Sequence, residues 1–82
     1  MSTELVDVLV PNFGQGLDEA LLVEWVADVG TRIGRGDLVA VVETVKATTE
    51  IVAERDGRVA AHAVTTGTIV ASGQVFYQLT TE

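Results

Sequence analysis

With no cysteine in the chain, the side chains able to do more than pack or solvate are few. There is one lysine, Lys46, one histidine, His62, and a scatter of hydroxyls and carboxylates. Lys46 lies in ETVKATTEI (43–51), between two strand-like runs, which places it at a hairpin tip. A loop held by a rigid sheet is a favoured place for function. The ε-amine on its four-carbon stem can form an amide with a cofactor carboxylate and project that cofactor clear of the fold. From position alone, a solvated turn lysine is the simpler reading of the residue.

The other chemical candidates are poorer. His62 sits in the strand-like GRVAAHAV (57–64) with no evident second ligand, which favours a structural or solvent-facing role over metal binding. Trp25 reads as packing, because aromatics carry much of the burial in a small core. Asp18 and Glu19 form an adjacent acidic pair, but sequence alone supplies nothing that would separate their roles into acid and base. No Ser-His-Asp set is indicated. GQGLDE (14–19) is not a phosphate cradle, since the strand-like LLVEWV follows where a helix N-terminus would be needed. No catalytic residue is expected, and the chain reads as a non-enzyme.

The elements that must position Lys46 are short. Strands are expected at 4–10, 21–27, 38–43, 47–52, 57–64 and 74–79, separated by turn residues such as Gly30, Gly36, Gly67 and Gly73. No segment keeps a 3.6-residue period long enough for a helix. An internal repeat is also visible. GTRIGRGDLV (30–39) aligns with GTIVASGQVF (67–76) at a shift of 37, and VDVLVPNFG (6–14) with TEIVAERDG (49–57) at a shift of 43. The first copy therefore carries six extra residues around Gly14 to Glu19. Two such halves predict a sandwich or flattened barrel with an approximate internal dyad. The dyad pairs the turn at 44–47 with the chain ends, so the lysine is expected at one end of the domain and the termini at the other.

Composition agrees with an all-β fold: Val, Ile and Thr number 15, 3 and 10, and branching at Cβ suits a pleated surface. Eighty-two residues are expected to form one domain spanning 1–82. The formal charge of −7 favours solubility or docking to basic partner faces. Four Arg and one Lys against twelve carboxylates disfavour nucleic acid. No apolar run approaches the roughly 20 residues of a membrane span, and the start MSTELVDVLV lacks the zones of a signal peptide. A cytoplasmic protein with no membrane partner is expected.

The stretch VPNFGQGLDEALLVEWVADVGTRIGRGDLVAVVETVKATTEI (10–51), with DGRV (56–59), TTGTIVASGQV (65–75) and QLTTE (78–82), resembles the lipoyl domain of the acyltransferase component of 2-oxo acid dehydrogenase complexes. The resemblance implies two quasi-symmetric four-stranded sheets, lipoate in amide linkage to Lys46, and a swinging arm that carries acyl groups. The implied partners are a thiamine-diphosphate-dependent 2-oxo acid dehydrogenase component, the acyltransferase core, dihydrolipoamide dehydrogenase, and a lipoate ligase or lipoyl transferase. Glu43, Val45, Ala47 and Glu50 bracket Lys46 as candidates for ligase contact, and the insertion Gly14–Glu19 is the candidate for reading the dehydrogenase. Where that family usually has Asp-Lys-Ala, this chain has Val45-Lys46-Ala47. That form is more typical of the glycine-cleavage carrier, which also carries lipoate. Biotin carriers share the architecture but flank their lysine with Met, and the only Met here is Met1. An aminomethyl or carboxyl carrier, or an unmodified β binding module, remain the competing readings.

Overall fold

The Cβ-branched runs resolve into eight strands and, among the described residues, no helix. The computed structural model describes residues 4–14 and 16–81. The strands are β1 (Glu4–Leu9), β2 (Glu19–Trp25), β3 (Arg32–Ile33), β4 (Leu38–Glu43), β5 (Thr48–Val52), β6 (Gly57–His62), β7 (Ile69–Ala71) and β8 (Val75–Thr81). They form two four-stranded antiparallel sheets, in the orders β1-β8-β6-β3 and β5-β4-β2-β7. Periodicity alone identifies six of these eight. The two it misses, β3 and β7, are two and three residues long, too short to display an alternation.

The sequence repeat becomes the symmetry of the fold. Exchanging β1 with β5, β2 with β6, β3 with β7 and β4 with β8 converts one sheet order into the other. The loop hydrogen bonds repeat as well. Val10 N–H donates to Gln74 O at 2.7 Å, and its counterpart Ala53 N–H donates to Asp37 O at 2.8 Å. Gly67 N–H donates to Leu22 O, and Gly30 N–H to Val59 O. The core is built from the same exchange, because Leu22 with Val59, Val39 with Phe76, and Val42 with Leu79 are quasi-equivalent and all essentially solvent-free. Each sheet turns one apolar face inward, as alternation along a strand requires.

Trp25 and His62 are themselves counterparts under the shift of 37, and they meet at the dyad. Their rings stack 3.9 Å apart and 3° from parallel. Trp25 Nε1 donates to Val64 O at 3.1 Å, while His62 Nε2 lies 2.9 Å from Ala27 O, the carbonyl quasi-equivalent to that of Val64. Since a carbonyl only accepts, Nε2 carries the proton. The lone histidine is thus spent on structure.

From this centre β4 runs from Ala40, opposite Trp25, to Glu43, and the turn carries the chain on to Lys46. Its mate β8 leaves His62 at Tyr77 and reaches Thr81, which pairs with Glu4. The two runs lead away from the shared centre along a molecule 43 Å long and only 21 Å and 19 Å across. The lysine hairpin and the Glu4/Thr81 end therefore occupy opposite ends, as the repeat implies. Thr3 and Glu82, used in deriving that expectation, lie outside the described residues.

Tyr77 packs edge-on to Trp25 and is nearly solvent-free. Burial, and secondarily the Glu54 carboxylate, push its phenol above the ordinary value of 10.0. The folded state thus holds this proton more tightly than the unfolded chain. Stability is expected to be full below about pH 10 and to fall as pH rises through the unfolded value towards the folded one. Tyr77→Phe should flatten that alkaline limb in denaturant titrations. An unchanged slope would show that other groups produce it.

Candidate functional site

The hairpin joining β4 to β5 closes with Glu43 opposite Thr48, leaving Thr44 to Ala47 as the turn. Thr44 organises it. Its N–H donates to Ala47 O at 2.9 Å, and its hydroxyl donates to the same oxygen at 3.1 Å. That hydroxyl also accepts the N–H groups of Lys46 and Ala47, each at 3.2 Å. A threonine hydroxyl has one proton to give and two lone pairs to receive, so it ties three backbone groups of Lys46 and Ala47 at once. The Lys46 backbone is held while its side chain stands in solvent, flanked by Val45 at 93% exposure. Glu43, Ala47 and Glu50 are exposed around it. Chemically this is an accessible primary amine on a defined platform, suited to amide attachment of a carboxylic-acid cofactor.

Thr44→Val keeps shape and removes both hydroxyl functions. Water can replace the exposed partners, so the expected cost is about 1 kcal/mol, a Tm loss of about 4–8 °C. Amide exchange at Lys46 and Ala47 should accelerate more than at the core strands. Uniform acceleration through β4 and β5 would place the role of Thr44 elsewhere.

The six-residue insertion flanks this hairpin. Its last residue, Glu19, belongs to β2 and pairs with Ala71, because β7 extends the sheet beyond where the apolar run begins. The loop proper is ordered by Asn12 Oδ1, which accepts Gly14 N–H at 2.7 Å, by Leu17 N–H on Gly14 O, and by Ser72 N–H on Asp18 O. Gly16 has a φ of 79°, a conformation that side-chain-bearing residues rarely adopt. Gln15 of the insertion lies outside the described residues. Gly16, Leu17, Asp18 and Glu19 line a surface cleft together with Val45 and Ala71. A second cleft adjoins it, where Val45 and Thr44 face Ala20, Leu21 and Ile69. Loop and hairpin are thus brought together.

Asp18 and Glu19 stand beside the hairpin, whereas His62 is engaged at the dyad, so no acid–imidazole pair forms. Among the described residues no group of three or more His, Asp or Glu side chains is placed to hold a metal. Sequence reasoning did not single out the apolar wall made by Leu17, Leu21 and Ile69. Ile69 is remote in the chain from Leu17 and Leu21, and no local pattern joins the three.

A sequence profile of the biotin/lipoyl family, described as "Biotin-requiring enzyme", matches residues 6–79, which include the hairpin. The chain is 35% identical over 75 residues to the lipoamide acyltransferase component of the branched-chain alpha-keto acid dehydrogenase complex of Pseudomonas aeruginosa, covering 92% of this chain and 18% of that protein. It is 32% identical over 63 residues to the pyruvate dehydrogenase E1 component subunit beta of Rhizobium meliloti, covering 77% of this chain and 14% of that protein. With the dihydrolipoyllysine-residue succinyltransferase component of the 2-oxoglutarate dehydrogenase complex of Azotobacter vinelandii, identity is 29% over 75 residues, covering 92% and 19%. The chain spans less than a fifth of the length of each of these relatives.

Proposed function

The chain belongs to the biotin/lipoyl attachment family, and we propose that residues 1–82 act as one lipoyl carrier module with lipoate in amide linkage to Lys46. The observation that carries this reading is the sole lysine of the chain, exposed at the tip of a hydrogen-bonded hairpin inside the matched span. The donor fits the group: a primary amine and a carboxylic acid condense to an amide with loss of water, and no other lysine competes. Lipoate is favoured over biotin by relatives named for lipoamide and dihydrolipoyllysine, and by Val45 and Ala47 in place of flanking methionines.

A module of this family carries a group and is not a catalyst by itself. When bound, lipoate supplies a dithiolane able to undergo reduction and acyl transfer. The protein provides attachment, exposure and recognition. Glu43, Val45, Ala47 and Glu50 form the face offered to a lipoate ligase or lipoyl transferase, and the Gly14–Glu19 segment is the face offered to a thiamine-diphosphate-dependent dehydrogenase component. The acyltransferase core and dihydrolipoamide dehydrogenase complete the set of partners. Tethering makes successive encounters nearly intramolecular, at about millimolar effective concentration. The acidic surface favours approach to basic partner faces.

The lipoylated domain, offered to pyruvate, 2-oxoglutarate and branched-chain dehydrogenase components with their own substrates, should gain an acyl mass from one of them. Val45 beside the lysine favours one second reading, an aminomethyl carrier. Loading by glycine decarboxylase, with none by the three dehydrogenases, would establish that reading instead.

A further inference from the structure

The internal dyad supplies a control that few surfaces have. Ile69, Leu21, Glu43 and Thr48 lie in one cross-strand row over β7, β2, β4 and β5. The quasi-equivalent row over β3, β6, β8 and β1 is Arg32, Arg58, Thr80 and Leu5. The backbone positions correspond, yet Ile69 stands where Arg32 stands and Leu21 where Arg58 stands. At these sites the fold accepts charge, so an apolar pair at the lysine end is not a requirement of folding. Ile69 is 55% exposed and Val45 93% exposed, and both line the same cleft. The insertion adds Leu17 on the other side of Val45, where the second copy has no matching residues. At the lysine end the row carries its apolar pair on β7 and β2, where the other end has two arginines and keeps only Leu5, on its outer strand, as an apolar member.

We propose that Val45, Leu17, Leu21 and Ile69 form a seat on which the aliphatic arm of lipoyl-Lys46 rests between encounters. This rests on Lys46 being lipoylated. The occupant is identified by chemistry and reach: the arm is uncharged, two runs of methylenes joined by one amide, and it leaves the residue next to Val45. Neither cleft is lined by a cation, and amidation removes the one positive charge on the hairpin. Tethering makes even a weak contact count. At about millimolar effective concentration, a seat with an intrinsic affinity of about 1 mM is filled about half the time. The almost fully exposed valine next to the attachment point is then explained by the group it meets.

The test uses the lipoylated chain, its mass confirmed, beside the unmodified chain and a lipoylated Leu21→Arg/Ile69→Arg variant. Those arginines copy the quasi-equivalent positions, so the variant should fold with little change in Tm. Nuclear Overhauser contacts are expected between the arm methylenes and the methyl groups of Leu21, Ile69 and Val45. The reduced arm holds the only thiols in a cysteine-free chain. Their alkylation by iodoacetamide should be about twofold faster in the variant. A lipoylated chain with neither contacts nor a rate difference would overturn the seat and leave the carrier assignment standing. Concentration-dependent methyl shifts in the unmodified chain would assign the surface to a second copy and also overturn it. A Lys46 that cannot be lipoylated would remove both proposals together. Should the variant unfold, the Overhauser contacts in the unaltered chain decide alone.

Discussion

Lys46→Arg is expected to abolish lipoylation and every carrier activity while leaving the fold intact. The substitution keeps the charge and most of the stem, but a guanidinium does not form the same amide. Lys46 is exposed, and it is tied to the turn through its backbone N–H on the Thr44 hydroxyl, which arginine preserves. Surface replacements of this kind usually change stability by no more than about 0.5 kcal/mol. A lipoate ligase reaction should therefore show no mass increment on the variant, and acyl loading should fall to background, with Tm unchanged. Retained activity of the complex with an unmodified variant would mean that Lys46 is not the attachment point and that the β module acts by binding alone.

Gly57→Ala is expected to be the most damaging small substitution in the fold. Gly57 is buried at the start of β6, opposite Ile33. A Cβ there would run into the carbonyl oxygen of Thr80 and come within 2.7 Å of Leu79 Cγ. The carbonyl belongs to β8, which is paired on both sides by β1 and β6 and has no room to retreat. Overpacking against backbone costs typically 1–3 kcal/mol, and the upper part of that range is expected here, a Tm loss of roughly 10–20 °C. Gly34 is the internal control. A Cβ there meets only the carboxylates of Asp37 and Asp56, both at 3.6 Å. Gly34→Ala should be neutral or stabilising by up to about 1 kcal/mol. Thermal unfolding followed by near-ultraviolet circular dichroism separates the two, and equal losses would mean that β8 yields more readily than its pairing implies.

The parts of this structure that could be read from the chain are those whose signal is local. The hairpin around Lys46 is one, since Val42 and Glu43 on one side and Thr48 to Ile51 on the other keep strand character up to a polar turn. The repeat is another: it implies an approximate internal dyad, and that dyad exchanges the two sheets. Strands β3 and β7 escaped periodicity because two or three residues hold no pattern, and they exist by virtue of their partners β6 and β2. Glu19 was counted with the insertion, although pairing with Ala71 draws it into β2. The ordering of the turn by Thr44 depends on one hydroxyl rotamer that composition cannot reveal. The apolar wall beside the lysine gathers Leu21 and Ile69 from two strands, Val45 from the hairpin turn and Leu17 from the insertion, and only the folded sheet makes them neighbours.

The carrier assignment is tested most directly by intact mass after expression with lipoate and a lipoate ligase, followed by fragmentation across residues 36–55. A single lipoyl increment located on Lys46 is the expected result. An unmodified lysine under conditions that lipoylate a known acceptor, or a biotin increment in its place, would contradict it.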